Sequence, residues 1–312
     1  MKCNCDTNCI DSKDNILQNI NDYYAPCKDC FTKTLKKSIP IKRQIKLNEF
    51  DNTSYKCASC GKRHIDFVMA NILKFLISND LLSSNSSIRN VGTPLITPAL
   101  PLDESPFLSE NSLVLIINNI NEKTAKEIYV NVPEVKAVIK GDVNKIVGQV
   151  DENSEIYHYE LLAGCDIRCD IQPTDFGNIC IFKKQSEIHI EYPKVKSQKI
   201  IDVDNVLDKY DNPTVIDAMC GPGTLGIYAI MKNAKKVLFN DIYSSAIDTT
   251  KVNLDVNQIS SDKYSITNKS IQDLIKCIDK KYDVGFIDAF PGMKTDDLEN
   301  SLKKVCNEVI II

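Results

Sequence analysis

The feature that most constrains this sequence is a regular alternation of short apolar runs and helical segments that begins at Pro213. The apolar runs at 215–217, 236–240, 264–267, 282–287 and 308–312 have the length and composition of buried strands. The segments between them, 224–231, 244–257, 271–278 and 296–306, are predicted helices. Strands that alternate with helices form a parallel sheet with helices on both faces. We therefore expect an α/β fold with a doubly wound, Rossmann-like sheet at the C-terminus.

A glycine-rich turn follows the first of these strands, where residues 217–226 read DAMCGPGTLG. Such glycines let the backbone approach a ligand, and the N-terminus of the next helix offers unpaired N–H groups. Gly221, Gly223 and Gly226 satisfy G-x-G-x-x-G, the dinucleotide fingerprint. A nicotinamide-dependent enzyme is therefore one interpretation, and a tight strand–helix turn without a ligand is another.

Acidic residues at the strand ends favour S-adenosyl-L-methionine (SAM) over a dinucleotide. Asp217 ends its strand four residues before Gly221, where a carboxylate would repel a pyrophosphate and attract the ammonium group of SAM. Asp241 follows the second strand and can accept ribose hydroxyls of either cofactor, or cap the next helix. Asp288-Ala289-Phe290-Pro291 follows the fourth strand, either as a strand terminator or at the edge where ligands bind.

These motifs resemble those of class I SAM-dependent methyltransferases over roughly the last hundred residues. Asp288 to Pro291 resembles their fourth motif, in a form similar to tRNA guanine-N2 dimethyltransferases and related RNA guanine methylases. The whole chain resembles a family of methanogen methyltransferases, which implies an archaeal source. The resemblance implies catalytic roles for Asp288, Phe290 and Pro291. The cofactor-binding residues that it implies are Asp217, Met219, Cys220, Gly221, Pro222, Gly223, Asp241, Ile242, Ser270 and Asp288.

The sequence departs from that family in three places. Met219 replaces the first glycine of the usual first motif, and Lys269-Ser270 stands where the third motif has an acid for adenine, with Asp273 nearby. Adenine would then be held by stacking or backbone contacts. The fold of the family adds strands after the fifth, so either this sheet is shorter or strands from 112–195 complete it.

The N-terminal region carries a second motif, C-x₂-C … C-x₂-C, formed by Cys27, Cys30, Cys57 and Cys60. Two such knuckles supply four thiolates to one ion, so structural zinc is the first interpretation and an iron–sulfur cluster the alternative. Cys3, Cys5, Cys9 and His64 could supply ligands for a second ion or replace one of these four. Cys3 and Cys5 could instead belong to a frayed terminus, and His64 could be a surface or capping residue. The other six cysteines, mostly in apolar surroundings, are interpreted as small buried side chains, with a structural role favoured for Cys165 and Cys169.

Four regions follow from these patterns. Residues 1–77 form a zinc-binding module ending in a helix at 62–77, and 78–111 form a Pro/Ser-rich linker or arm. Residues 112–197 form a mixed α/β substrate or accessory domain with strands at 113–117 and 135–139, a helix at 121–130, and a hairpin of 178–182 with 187–191. Residues 198–312 form the SAM-binding methyltransferase domain.

Charge and composition bear on location and partners. The sequence has no apolar run long enough to span a membrane and no signal-peptide core, which predicts a cytoplasmic protein. The net charge of −4 argues against RNA binding without excluding it. Residues 28–46 are nevertheless locally basic, which suits either an RNA surface or a solvated face of the zinc module. The acceptor of the methyl group is therefore an RNA base or a small molecule or cofactor, and a SAM-binding protein without catalysis is the third alternative.

Overall fold

The computed structural model describes residues 1, 3, 5, 8–148, 157–290 and 292–312. Its helices are α1 Lys13–Gln18, α2 Ile65–Ser78, α3 Glu122–Asn131, α4 Gln198–Leu207, α5 Thr224–Lys232, α6 Ser244–Val256, α7 Ile271–Leu274 and α8 Asp296–Leu302. Its strands are β1 Arg63–His64, β2 Thr93–Ile96, β3 Phe107–Leu108, β4 Leu113–Ile117, β5 Val135–Lys140, β6 Glu160–Gly164, β7 Ile167–Gln172, β8 Ile179–Lys184, β9 Thr214–Asp217, β10 Lys236–Asn240, β11 Tyr264–Thr267, β12 Tyr282–Ile287 and β13 Cys306–Ile311.

The C-terminal sheet has five parallel strands in the order β11-β10-β9-β12-β13. Alternate residues of one strand face opposite layers: Val215 packs with α4, α5 and α6, whereas its neighbour Ile216 packs with α7 and α8. The two helical layers confirm the predicted doubly wound, Rossmann-like fold. The strand order reverses between β9 and β12, and ligands bind at such switch points in this class of fold.

The predicted sheet elements all form, with small differences at the helix ends. The helix expected at 296–306 stops at Leu302, because β13 already begins at Cys306 and pairs with β12. The helix expected at 271–278 is one α-helical turn, α7, followed by a 3₁₀ turn at Ile275–Cys277. Among the described residues, no strand of the middle region joins this five-stranded sheet.

The middle region contains a mixed sheet in the order β2-β4-β5-β6. The strand β2 lies within the segment expected to be a linker or arm, and it pairs antiparallel with β4. The helix α2 packs against β4, β5 and α3 in one apolar core, so the cysteine-rich region and the middle region share their interior. The division into domains at residues 77, 111 and 197 remains a prediction.

The hairpin expected between 178–182 and 187–191 does not form. The strand β8 pairs with the preceding strand β7, which periodicity did not indicate. Residues 185–187 form a 3₁₀ turn, and the alternating segment after them makes no strand ladder. The side chains of Asn253 and Asn257 on α6 bond to the backbone of Phe182 and Cys180, which fastens β8 to the C-terminal domain.

Candidate active site

The glycine turn is held open by contacts from the neighbouring strand and helix. Its backbone is tied to β10 by a hydrogen bond from Cys220 N to Asn240 O at 2.9 Å. From α6, the hydroxyl of Thr250 donates to the carbonyl of Gly221 at 2.8 Å. Gly221 has a φ of +50° and open space where a Cβ would lie. The turn therefore presents backbone to a ligand rather than packing against the protein.

Gly226 has a different role from the glycines of the turn. A Cβ at this position would lie 2.2 Å from the ring of Phe239 on β10. Glycine therefore lets α5 lie directly against the sheet, which fixes where the N-terminus of that helix points.

Asp217 ends β9 beneath this turn, with 1% of its surface exposed. Its Oδ2 accepts the N–H of Gly226 at 2.9 Å. Its Oδ1 is buried and has no hydrogen-bond partner within the part of the chain that the structure describes. Burial, reinforced by the nearby charge of Asp288, raises the pKa of Asp217 to about 8. A cation beside Oδ1 would lower this pKa again, so the geometry suits a positively charged ligand group.

Asp241 and Asn240 connect the loops after β9, β10 and β11. Asp241 accepts the backbone N–H groups of Gly221 and Tyr243, each at 2.9 Å, and burial raises its pKa. The fully buried amide of Asn240 donates to the carbonyls of Ala218 and Lys269, at 3.1 and 3.0 Å. These bonds place the carboxylate of Asp241 beside the glycine turn.

The remaining predicted cofactor residues differ in their exposure. Met219 and Pro222 are half-buried, whereas Cys220 is buried with its Sγ 3.5 Å from the hydroxyl of Thr250. Ile242 is 61% exposed beside Asp241 and offers apolar surface to a ring. Ser270 caps α7, and its hydroxyl donates to Asp273 at 2.8 Å, so that hydroxyl is already engaged.

Asp288 follows β12 and lies within an ion network that the sequence did not indicate. The ammonium group of Lys199 on α4 lies 2.9 Å from Asp288 Oδ2 and 2.7 Å from Glu191 Oε1. Burial raises the pKa of Asp288, although Lys199 opposes that shift. The imidazole of His189 lies near the charges of Glu191 and Lys199, and its buried Nδ1 lacks a hydrogen-bond partner among the described residues.

Phe290 places an aromatic ring at the same edge of the sheet. A Cβ at Gly148 would lie 2.9 Å from Phe290 Cζ, so the loop after β5 approaches the ring closely. Pro291, the third residue with a predicted catalytic role, lies outside the described residues. Lys199 and Glu191 could not have been found from spacing, because they precede the glycine turn and reach Asp288 only through the fold.

The two cysteine knuckles converge on one point as predicted. The sulfurs of Cys27, Cys30, Cys57 and Cys60 all lie within 4.8 Å of one another. Neighbouring Sγ atoms are 3.5 to 3.7 Å apart, close to the edge of about 3.8 Å that four thiolates form around one zinc ion. His64 is not part of this group: it is buried, and its Nδ1 caps α2 by accepting the N–H of Asp66 at 3.1 Å.

A basic groove lies beside this knuckle and has a volume of about 1050 Å³. The basic side chains lining it are Lys42, Arg43, Lys46 and Lys74. Tyr55 also lines it, is 39% exposed, and lies 4.8 Å from the exposed ring of Phe31, centroid to centroid. All seven basic side chains of the segment 28–46 are exposed. The groove therefore combines basic side chains with aromatic rings, and both kinds of group bind single-stranded nucleic acid in proteins.

Comparison with known proteins supports a methyltransferase domain. Residues 199–287 match the family model described as ribosomal protein L11 methyltransferase (PrmA). This stretch contains β9 to β12 and the glycine turn, and the match confirms the methyltransferase resemblance there. No curated protein sequence matches the chain. In the part of the chain that the structure describes, no helix is both long and apolar enough to cross a membrane.

Several solved structures are similar to this chain at low identity. They include aTrm5 in complex with tRNALeu, which is 19% identical, with 76% of this chain and 62% of that chain covered and a TM-score of 0.45. Trm5 from Methanocaldococcus jannaschii in complex with adenosine is 19% identical, with coverages of 78% and 62% and a TM-score of 0.42. TYW2 from P. horikoshii in complex with MeSAdo is 16% identical, with 74% of each chain covered and a TM-score of 0.44. The chain thus spans less than two thirds of the length of the first two.

Proposed function

We propose that this protein transfers a methyl group from SAM to a base of RNA. The observation that carries the cofactor assignment is the carboxyl of Asp217, which is buried below the glycine turn with one oxygen that finds no hydrogen-bond partner in the described part of the chain. A buried acid without a counter-charge is costly. The ammonium group of the methionine part of SAM would supply both the charge and the hydrogen-bond donor.

The same carboxylates argue against a dinucleotide. A pyrophosphate at this turn would lie close to Asp241, and it would oppose the ionisation of Asp217, whose pKa burial and the charge of Asp288 already raise. Like charges in a poorly solvated site repel strongly. A sulfonium cofactor with an additional ammonium group carries the charge that the site lacks.

The remaining parts of SAM would find contacts on the same edge of the sheet. Asp241 would accept the ribose hydroxyls through lone pairs not used by Gly221 and Tyr243. The exposed side chain of Ile242 would cover one face of adenine. Because the hydroxyl of Ser270 already donates to Asp273, stacking and backbone contacts would replace a direct acidic contact to the adenine amino group.

Asp288 and Phe290 would receive the acceptor. Methyl transfer is an in-line attack on the sulfonium carbon, so the main work of the protein is to align donor and acceptor. Asp288 would accept a hydrogen bond or a proton from an exocyclic amine or ring nitrogen, and its raised pKa favours proton uptake. Phe290 would stack on a planar base.

The basic groove supports RNA as the acceptor. Its lysine and arginine side chains would contact phosphates, and the exposed rings of Tyr55 and Phe31 would stack on bases. This local charge outweighs the argument from the net charge of −4, because binding depends on one face of the protein.

The four-cysteine knuckle beside the groove would hold a structural zinc ion. The separation of its sulfurs fits a single tetrahedral ion better than an iron–sulfur cluster, in which the cysteines ligate different iron atoms. Clustered thiolates of this kind are kept reduced in the cytoplasm, where we place the protein.

The reaction can be tested with SAM labelled in its methyl group and unfractionated tRNA as acceptor. We expect salt-sensitive labelling of RNA by the wild type. The Asp288→Ala variant should still bind S-adenosylhomocysteine but lose at least about a hundredfold in turnover, the size of a general-base contribution. Asp262→Ala is the matched control and should retain activity. It removes an exposed acid whose pKa is lowered chiefly by a hydrogen bond from the neighbouring Ser260.

Wild-type turnover in Asp288→Ala would contradict the role of that carboxylate. Binding of S-adenosylhomocysteine without affinity for RNA would point instead to a small-molecule acceptor. Binding without transfer to any acceptor would point to a protein that senses SAM.

A further inference from the structure

A second group of four cysteine sulfurs lies far from the first in the chain. Cys3, Cys5 and Cys9 come from the N-terminal segment, and Cys165 comes from the corner between β6 and β7. Their sulfurs all lie within 4.8 Å of one another. The C-x-C-x₃-C spacing is visible in the sequence, but its fourth member is more than 150 residues away and is joined to the others only by folding.

The sulfurs of this group lie close enough together to share one ion, and two of their separations are near those expected around zinc. Cys165 Sγ lies 3.6 Å from Cys3 Sγ and 3.7 Å from Cys9 Sγ. Four thiolates around zinc at about 2.3 Å form a tetrahedron with edges of about 3.8 Å. Cys9 Sγ lies 3.1 Å from Cys3 Sγ and 2.9 Å from Cys5 Sγ, so it approaches three other sulfurs at once. A disulfide would join one pair and would not require the other two sulfurs to approach it.

The surroundings suit a negatively charged metal centre. A divalent ion with four thiolates carries a net charge of −2, and the ammonium group of Lys136 on β5 lies 2.9 Å from Cys9 Sγ. A cation that donates to a ligand sulfur is the kind of outer contact that stabilises such sites. Ile16 and Ile167 lie in the apolar cluster on one side. A groove of about 710 Å³, lined by Cys5, Cys9 and Lys136, gives an ion a path to enter from solvent.

We propose that Cys3, Cys5, Cys9 and Cys165 form a second metal centre that holds one thiophilic divalent ion such as zinc. The centre fastens the N-terminal segment to the corner between β6 and β7. From there α1 runs to the C-terminal domain, where Gln258, just beyond α6, donates to Asp14 at 2.9 Å. The ion thereby ties the N-terminal segment, the middle region and the methyltransferase domain together. This inference does not depend on the proposed activity.

The second metal centre is tested by measuring the metal content of the full chain, purified under reducing conditions, by inductively coupled plasma mass spectrometry. We expect two zinc ions per chain in the wild type. Cys165→Ser and Cys57→Ser should each retain one ion, because each breaks a different centre. Cys277→Ser is the control and should retain both ions, because it removes an exposed thiol of the C-terminal domain that belongs to neither centre.

A measurement on the wild type alone covers the case in which Cys165→Ser fails to fold. X-ray absorption spectroscopy at the zinc edge should then show coordination by sulfur only, and metal analysis of the same sample should give two zinc ions per chain. One ion per chain, two ions retained by a folded Cys165→Ser variant, or iron with acid-labile sulfide in the sample would each overturn the proposal.

Discussion

At the scale of single residues, the site is defined by carboxylates rather than by the glycine pattern. The glycines alone are compatible with a dinucleotide. In the proposed site Asp217 is the residue that would separate the two cofactors, because its buried oxygen has no hydrogen-bond partner among the described residues and suits a positively charged ligand group. The sequence indicated this residue from its place at a strand end, but its burial and its raised pKa came from the packing of α5 above it.

The pH dependence of stability should reveal the buried carboxyl of Asp217. Its pKa rises from an ordinary value of 3.8 to about 8 in the folded chain, so the folded state binds more protons between those values. The contribution of Asp217 to stability is therefore lost as pH rises through this window. We expect Asp217→Asn to become progressively more stable relative to the wild type between about pH 4 and about pH 8, and the difference to level off above that.

Urea unfolding of both proteins across this range measures the difference directly. Asp262→Asn serves as the control, because that exposed acid has a lowered pKa and titrates below this window. A stability difference between Asp217→Asn and the wild type that does not change with pH would show that Asp217 is ionised in the folded protein throughout.

At the scale of elements, the regular alternation after Pro213 was sufficient to predict the sheet. Its three central strands, β9, β10 and β12, are largely buried and lie between two layers of helices, so local pattern and final structure agree. The middle region was less predictable. The segment 187–191 alternates like a strand, yet His189 and Glu191 turn toward charged neighbours and the true partner of β8 is β7. Such pairing depends on contacts between distant residues, which periodicity does not encode.

The close packing of α5 on β10 gives a prediction for Gly226. In Gly226→Ala the added Cβ would meet the ring of Phe239 at 2.2 Å, so the helix must shift. We expect a loss of about 1–3 kcal/mol in the free energy of unfolding, the usual cost of overpacking. Affinity for S-adenosylhomocysteine should fall as well, because the same helix begins at the glycine turn.

The double variant Gly226→Ala with Phe239→Leu is the matched control, because it removes the ring that causes the clash. It should recover part of the affinity lost in Gly226→Ala, although Phe239→Leu alone leaves a smaller side chain in the core. Equal affinities in Gly226→Ala and the wild type would show that the spacing of α5 from the sheet does not shape the site.

At the scale of the whole molecule, the cysteine-rich region is part of the main body of the chain. Arg63 forms a fully buried, two-point ion pair with Glu134, at 2.7 and 3.0 Å. Together with the shared core around α2, this pair fixes the first knuckle and its basic groove against the middle region. The sequence indicated the cysteines and the basic residues separately, but the groove that combines them arises only from this packing.

The groove gives a prediction for RNA binding. Replacing both Lys42 and Arg43 by alanine should weaken binding of single-stranded RNA and lower the slope of log affinity against log salt by about 1 to 2, since each phosphate contact adds about 0.7. Lys251→Ala is the control, because that lysine is exposed on α6 and pairs with Asp248. Fluorescence anisotropy over a range of salt concentrations measures both quantities. An unchanged salt slope would place the RNA elsewhere.

The central claim is that the carboxyl of Asp217 receives the ammonium group of SAM, and calorimetric titration with S-adenosylhomocysteine tests it most directly. Near neutral pH, in buffers of different ionisation enthalpy, we predict binding with release of close to one proton, because the ligand cation lowers a pKa that stands at about 8. Binding should be lost or greatly weakened in Asp217→Asn, and NAD should not bind. Binding of NAD, or undiminished binding of S-adenosylhomocysteine to Asp217→Asn without any change in proton release, would contradict the account.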